Sequence, residues 1–283
     1  MSTEVVAVAN YHCEVGENPL WDERTNRIHW LDIDTGRLFR ADHATLEHEC
    51  FYRGPVVGGF TFQEDGALLL FEADRIVLLV DGKRRVLKEG IDSDMERWND
   101  VIADPEGRVY AGTIGKTRES GGLYRVERDL SVTCLWKGTG CSNGVGFSGD
   151  LERFYWTCST TRRIFVSDYD RTTGEMRNRR VWYQAPEAEG TPDGLTLDVR
   201  DRIYTARWGG SSVLEMTEDA ELVGRIDFPV SRVSSVCFGG PELDTLYVTT
   251  AGGREGATTP DGTLYRVKLE TKGRVEFRSR VGL

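Results

Sequence analysis

The stretch Asp193-Gly194-Leu195-Thr196-Leu197-Asp198 places an oxygen-bearing side chain ahead of apolar residues two and four positions later. Such alternation is typical of a strand with one buried face. The same pattern recurs in three other segments, which read Glu17-Asn18-Pro19-Leu20-Trp21-Asp22, Asn99-Asp100-Val101-Ile102-Ala103-Asp104 and Asn143-Gly144-Val145-Gly146-Phe147-Ser148. We therefore expect each lead residue just before a strand.

Two weaker copies, Gly58-Gly59-Phe60-Thr61-Phe62-Gln63 and Ser234-Ser235-Val236-Cys237-Phe238-Gly239, complete the series. The six lead positions are 17, 58, 99, 143, 193 and 234, so successive copies are 41, 41, 44, 50 and 41 residues apart. A period of this size, with strand patterns and no long helical pattern in each unit, is typical of propeller blades of about four strands. The sequence predicts an all-β fold: one six-bladed β-propeller domain spanning residues 1–283.

Closure of such a ring needs a terminal strand from one end of the chain to complete a blade at the other. The candidates are residues 5–11 at one end of the chain and residues 274–280 at the other. One longer irregular insertion, residues 184–191, immediately precedes the Asp193 copy and is expected to flank any site there.

Composition excludes several classes of function. The net charge of −10 argues against nucleic acid, which requires clustered Lys and Arg. No run of about 18 apolar residues exists, so no membrane span is expected. Residues 1–4 have neither the basic start nor the apolar run of a signal peptide, which together with the acidic charge balance predicts a cytoplasmic protein. A monomer or a weak homo-oligomer is expected. The six cysteines form no C-x-x-C pair and are expected to be reduced.

The lead residues are candidates for a central metal site. Strand starts of a propeller face its axis, so Glu17, Asn99, Asn143 and Asp193 could converge there. Two carboxylates and two amide oxygens suit a hard divalent cation such as Ca²⁺, Mg²⁺ or Mn²⁺, and Zn²⁺ or Fe²⁺ also remains open. All four histidines lie in the first 50 residues, outside the lead positions, which argues against a His-rich zinc site. Taken singly, each lead residue is better explained as an ordinary turn or loop residue, since Asn-Gly and Asp-Gly are common turn dipeptides. Turn chemistry alone explains far less well why four of six repeats carry an oxygen donor at the same position.

The chain resembles the SMP-30/gluconolactonase/regucalcin family of six-bladed propeller lactonases over nearly its whole length. The motifs that carry the resemblance are Gly16-Glu17-Asn18-Pro19-Leu20-Trp21, Arg97-Trp98-Asn99-Asp100, Asp104-Pro105-Glu106-Gly107-Arg108, Asn143-Gly144, Pro192-Asp193-Gly194-Leu195, Ala206-Arg207-Trp208-Gly209-Gly210, Phe238-Gly239-Gly240 and Leu246-Tyr247-Val248-Thr249.

The resemblance implies a role for each site residue. Glu17, Asn143 and Asp193 match protein ligands of one divalent metal, with Ca²⁺ as the first choice. Asn99 matches a residue that lines the metal site and contacts water or substrate, and Arg97 matches a substrate-binding arginine. The implied substrate is a small sugar-acid lactone, such as glucono-, xylono- or arabinolactone.

Three departures from the family pattern bear on the pocket rather than on the metal ligands. Asn18 stands where the family usually has Gly, and Cys158-Ser159 stands where it often has Asp-Ser. A substrate-contacting acid of some members falls in the loop that reads Gly115-Lys116-Thr117-Arg118-Glu119 here, where only Glu119 could serve.

The expected mechanism is hydrolysis with metal-activated water. Asp193 is the candidate general base, and Arg97 and Asn99 are expected to donate hydrogen bonds to sugar hydroxyls or to the developing oxyanion. Two alternatives stay open: a phosphotriesterase or aryl esterase that uses the same site, and a calcium-binding propeller without catalysis. Trp208 is expected either to wall the pocket or to pack between blades, and Trp98 is expected in the core.

Overall fold

A computed structural model of the chain describes residues 4–283. In it the sequence repeat forms six four-stranded antiparallel sheets, the blades. The chain enters through β1 (Val5–Asn10). Blade 1 is β2 (Gly16–Asp22), β3 (Arg27–Asp32), β4 (Arg37–Asp42) and β5 (His48–Arg53); blade 2 is β6 (Val57–Phe62), β7 (Leu68–Glu72), β8 (Arg75–Val80) and β9 (Lys83–Lys88); blade 3 is β10 (Met95–Ala103), β11 (Val109–Gly115), β12 (Gly122–Val126) and β13 (Val132–Lys137).

The second half of the chain repeats this architecture. Blade 4 is β14 (Ser142–Phe147), β15 (Arg153–Cys158), β16 (Arg163–Tyr169) and β17 (Met176–Gln184); blade 5 is β18 (Thr191–Leu197), β19 (Ile203–Trp208), β20 (Ser212–Met216) and β21 (Leu222–Asp227); blade 6 holds β22 (Val233–Gly239), β23 (Thr245–Thr250) and β24 (Thr263–Lys268). Two short 3₁₀ turns, Ser159–Thr161 and Glu187–Glu189, are the helical elements among residues 4–283, and no helix in that range is long and apolar enough to cross a membrane.

Blade 6 is closed by the start of the chain. Strand β1 pairs antiparallel with β24 and becomes the outer strand of that blade, so the prediction for residues 5–11 is confirmed. The inner strands β2, β6, β10, β14, β18 and β22 contact one another in a closed ring around the axis. We call the end of the channel where these strands begin the upper mouth and the end where they finish the lower mouth.

Large apolar side chains on the blade faces fill the spaces between neighbouring blades. Between blades 2 and 3, for example, Phe71 meets Trp98 edge to face with ring centroids 5.3 Å apart, and Trp98 is fully buried. Trp98 therefore lies in the core, as predicted. All six cysteines are free thiols, also as predicted.

Every inner strand carries a register shift, or β-bulge, at its lead position. In β2 the shift lies between Glu17 and Leu20, and in β18 it lies between Pro192 and Leu195. The other four inner strands shift at the equivalent place. The expectation that each lead residue precedes its strand is therefore wrong: the strand begins earlier, and the bulge leaves a residue unpaired and turns its side chain away from the normal alternation.

The C-terminal segment does not form a strand, so the prediction for residues 274–280 is wrong. Residues 271–281 instead cross the lower mouth as a strap, held by single bridges between Asp198 and Gly273 and between Gln63 and Ser279. Three arginines of the strap bind three different blades: Arg274 pairs with Asp201, Arg278 pairs with Asp22 at 2.7 Å, and Arg280 donates to the Pro105 carbonyl at 2.9 Å. The lower mouth is thus closed, and access to the axis is from the upper mouth.

Candidate active site at the upper mouth

A cavity of about 310 Å³ opens at the upper mouth. Its lining includes the five residues to which the resemblance gives a role, and the full set is Val15, Glu17, Ile33, Arg97, Asn99, Ile114, Cys141, Asn143, Ser159, Thr191, Asp193 and Trp208. The four lead residues thus come from blades 1, 3, 4 and 5, which are up to 176 positions apart in the chain (193 − 17). Each reaches the cavity because the bulge in its inner strand exposes it to the axis.

Three of these side chains form a hydrogen-bonded chain. Arg97 Nη1 donates to Asn99 Oδ1 at 2.6 Å, and Asn99 Nδ2 donates to Asn143 Oδ1 at 2.7 Å. Asn99 Nδ2 also donates to the Ser142 carbonyl at 2.9 Å. Both amide hydrogens of Asn99 are therefore engaged, so the expectation that Asn99 donates a hydrogen bond to the substrate is wrong. Its Oδ1 can still accept one.

The carboxylates in the cavity lie in an environment that penalises their charge. Glu17 and Asp193 are both about 5% exposed. Burial, followed by repulsion from Asp100, raises the pKa of Glu17 above its usual range. Burial, followed by repulsion from Glu17 and Asp100, raises the pKa of Asp193 well above its usual range. Arg97 opposes both shifts but does not cancel them.

Buried carboxylates with too little positive charge around them are stabilised by a bound cation. The donor set of Glu17, Asp193 and the Asn143 amide oxygen consists of hard oxygens, as Ca²⁺ or Mg²⁺ requires. Among residues 4–283 no cluster of three or more His, Cys, Asp or Glu side chains is arranged around a metal position. The present cluster combines two carboxylates with carboxamides, and its chemistry fits a divalent cation.

A second, smaller cavity of about 40 Å³ continues the channel toward the lower mouth. Asp100, the neighbour of Asn99 in the bulge of β10, lines it together with Glu276 of the strap. Burial raises the pKa of Asp100, and burial followed by repulsion from Asp100 raises the pKa of Glu276 to about 7. The two cavities therefore hold four carboxyl groups, two in each.

Several lining residues were not found from the sequence. Ser159, Thr191 and Cys141 join the lead residues in the lining. Ser159 carried a signal as part of the departure Cys158-Ser159 and Thr191 as the end of the insertion 184–191, whereas Cys141 carried none. The Cys158 thiol itself is buried and donates to the Thr139 carbonyl, away from the cavity lining. The insertion 184–191 flanks the site, as predicted, through Thr191.

Asn18 occupies a backbone conformation that explains why the family favours Gly there. Its φ is +48°, in the left-handed region that Gly adopts freely and that Asn tolerates better than most residues. The side chain is used as well: Asn18 Oδ1 accepts a hydrogen bond from the Phe60 amide of blade 2 at 2.6 Å. This departure therefore links two blades at the bulge.

Two further expectations about the pocket are resolved by the structure. Trp208 lines the cavity, and the Arg232 guanidinium lies 5.3 Å from its ring centroid, so Trp208 walls the pocket. Glu119 is exposed in the loop between β11 and β12 and is not part of the lining, so the suggestion that it contacts substrate is not supported.

The fold and the site together define a class: a six-bladed propeller with an acidic, carboxamide-containing cavity on its axis. Residues 15–252 match the family model described as the SMP-30/Gluconolactonase/LRE-like region. The chain belongs to this family.

Individual relatives agree with this assignment. The chain is 42% identical over 289 aligned residues to a protein from Haloferax volcanii named pentonolactonase XacC, with 99% of each chain covered. It is 30% identical to regucalcin from Danio rerio, over 88% of this chain and 87% of the other. Among solved structures, a luciferin-regenerating enzyme superimposes with a TM-score of 0.90 at 26% identity, covering 99% of this chain and 100% of the other.

Proposed function

We propose that the protein is a lactonase that opens a small sugar-acid lactone with water, assisted by one divalent cation bound by Glu17, Asn143 and Asp193. The observation that carries the proposal is the pair of buried carboxylates that share one axial cavity with the Asn143 amide oxygen, in a chain of this family. The similarity to a pentonolactonase over the full length supports a lactone as the substrate class.

The bound cation would supply Lewis-acid chemistry to the lactone carbonyl and stabilise the negative charge that develops there. Ca²⁺ is our first choice, because the donors are all oxygens and because Mg²⁺ would demand a stricter geometry. Glu17 and Asp193 contribute the two negative charges that balance the cation.

Asp193 is the residue we assign to proton transfer. Its carboxylate takes a proton from the attacking water as the water oxygen bonds to the carbonyl carbon, and the proton then passes to the ring oxygen as the ring C–O bond breaks. The products are the open-chain sugar acid and its new hydroxyl group, so no covalent enzyme intermediate is required. A carboxylate that also holds the cation is a weak base, because the cation would stabilise its ionised form, so lowering of the water pKa by the cation would make the larger contribution.

Arg97 and Asn99 orient the substrate in this proposal. Arg97 uses one nitrogen on Asn99 and on the Trp98 carbonyl, and its other N–H groups can donate to a sugar hydroxyl or to the carbonyl oxygen. Asn99 Oδ1 accepts from a second hydroxyl. Trp208 and the apolar side chains Val15, Ile33 and Ile114 offer surfaces for the C–H face of the sugar ring.

The decisive experiment combines metal removal with a substrate panel. Protein stripped with a chelator should lose hydrolysis of aldonolactones, and Ca²⁺, Mg²⁺ or Mn²⁺ should restore it. An organophosphate and an aryl ester are assayed in parallel. Full activity after complete metal removal would contradict the cation's role. Metal-dependent turnover of the phosphotriester but of no lactone would replace the proposed substrate class, and metal binding without turnover of any substrate would indicate a non-catalytic propeller.

A further inference from the structure

The hydroxyl of Ser159 lies between two parts of the site that belong to different blades. Ser159 begins the short turn after β15 in blade 4. Its Oγ is 2.9 Å from Asn143 Nδ2, in the inner strand of the same blade, and 2.7 Å from the Pro192 carbonyl oxygen in blade 5. Pro192 immediately precedes Asp193. Ser159 therefore contacts one proposed cation ligand, Asn143, directly, and contacts the backbone next to a second, Asp193.

The direction of each hydrogen bond in this set follows from chemistry. A backbone carbonyl can only accept, so Ser159 must donate its single proton to Pro192. Ser159 Oγ can then only accept from Asn143, which requires the Nδ2 end of the Asn143 amide to face Ser159. The second hydrogen of Asn143 Nδ2 points to Cys141 Sγ, 3.5 Å away.

The other end of the Asn143 amide is determined independently. Asn99 Nδ2 donates to the Ser142 carbonyl, again an obligate acceptor, and it also donates to Asn143 Oδ1. Rotating the Asn143 amide by 180° would place two NH₂ groups against each other on the Asn99 side. It would also remove the donor from Ser159 and set the amide oxygen against it.

We propose that Ser159 is a positioning residue, whose hydroxyl holds the Asn143 amide with its oxygen turned away from Ser159 and available to the axial cation. The proposal rests on the proposed function, since it concerns a cation held by Asn143. Ser159 acts through Asn143 and through the Pro192 carbonyl. Without that hydroxyl, the amide loses its one oxygen acceptor and keeps only Asn99 and the weakly accepting Cys141 sulfur, so it can rotate and its oxygen is no longer prepared for the cation.

The test is the affinity of metal-stripped protein for Ca²⁺ and Mn²⁺, measured by isothermal titration calorimetry without substrate. Ser159→Ala should raise the dissociation constant about 10-fold or more, the range typical of partners that orient a metal ligand. Ser159→Thr, which keeps the hydroxyl, should bind within about threefold of the natural protein. Ser159→Cys, which nearly keeps the volume but offers a weak donor and acceptor, should behave like the alanine variant.

Thr161→Ala is the matched control. Thr161 lies in the same turn, and its hydroxyl donates to the Cys158 carbonyl outside the hydrogen-bonded set. The Thr161→Ala variant should bind the cations with a dissociation constant within about twofold of that of the natural protein. A lower melting temperature of this variant would report loss of the turn. If Ser159→Ala lowers affinity no more than Thr161→Ala does, the positioning role is overturned while the proposed function stands. If the natural protein itself binds neither cation, the proposed function and this inference fail together.

Discussion

The side-chain amide of Asn99 donates to Asn143 Oδ1 across 2.7 Å, and the two residues come from adjacent blades. The contact exists because both inner strands bulge at the same height and turn these side chains toward the axis. The candidate site is therefore a property of the ring rather than of one blade. Changes at any of its residues are expected to affect the others through the shared hydrogen bonds.

We expect Asp193→Asn to lower kcat/KM for a lactone by roughly 100-fold or more, because the variant loses both the proton acceptor and one negative charge facing the cation. Steady-state kinetics at saturating metal would measure this. Asp219→Asn, in an exposed turn of the same blade, is the control and should retain activity. Unchanged kcat/KM in Asp193→Asn would remove Asp193 from the mechanism.

We expect Arg97→Ala to raise KM for a lactone about 10-fold, because a charged donor to the substrate is lost. A fall in kcat with little change in KM would instead place the arginine at the developing oxyanion. The exposed Arg85 provides a control, since Arg85→Ala removes the same charge far from the cavity and should leave both constants unchanged.

The carboxyl group of Glu276 makes stability depend on pH. Its folded-state pKa of about 7 is above the usual value of 4.5, so the folded protein binds more protons than the unfolded chain between these values. Glu276 therefore lowers the free energy of unfolding as pH rises from about 4.5 to 7.

Glu276→Gln should remove that contribution. We expect the variant to be more stable than the natural protein by roughly 2–3 kcal/mol at pH 8 and by much less at pH 5. Urea denaturation at the two pH values would measure the difference. An equal change in stability at pH 5 and at pH 8 would show that the ionisation of Glu276 is not responsible.

The strap across the lower mouth should contribute to stability through Arg278. This side chain and its partner Asp22 are both largely buried, at 9% and 12% exposed, so Arg278→Ala leaves Asp22 without its charged partner. We expect a loss of about 2–4 kcal/mol in the free energy of unfolding. Arg24 pairs with Glu64 at the surface, and Arg24→Ala should cost less than about 1 kcal/mol in the same denaturation experiment. If Arg278→Ala and Arg24→Ala lowered the free energy of unfolding equally, the strap would not stabilise the fold through Arg278.

The repeat was readable from the sequence because strand alternation and blade spacing are local properties. The apolar pairs after Glu17 and after Asp193 predict one buried strand face wherever the chain runs, and the spacing of 41 to 50 residues counts the blades. The same regularity identified the oxygen-bearing lead positions. It did not reveal the bulge, because a register shift depends on the pairing with the next strand.

Residues that act through distant contacts were missed for a related reason. Ser159 precedes Pro192 by 33 positions and meets it only because blades 4 and 5 are adjacent. The sequence pattern places Asp100 at the start of a strand, but its position in the lower cavity depends on the bulge and on the strap. Residues 274–280 do not complete blade 6, because β1 already occupies the place beside β24.

The amino-acid sequence alone determined the number of blades, the buried face of their inner strands and the oxygen donors at equivalent positions, since these follow from periodicity within short segments. Only the tertiary structure decided which of these oxygen-bearing side chains share one cavity and how the Asn143 amide is oriented relative to Ser159. It also decided how the lower mouth is closed. Those features depend on contacts between residues far apart in the chain, and such contacts are set by the closure of the ring.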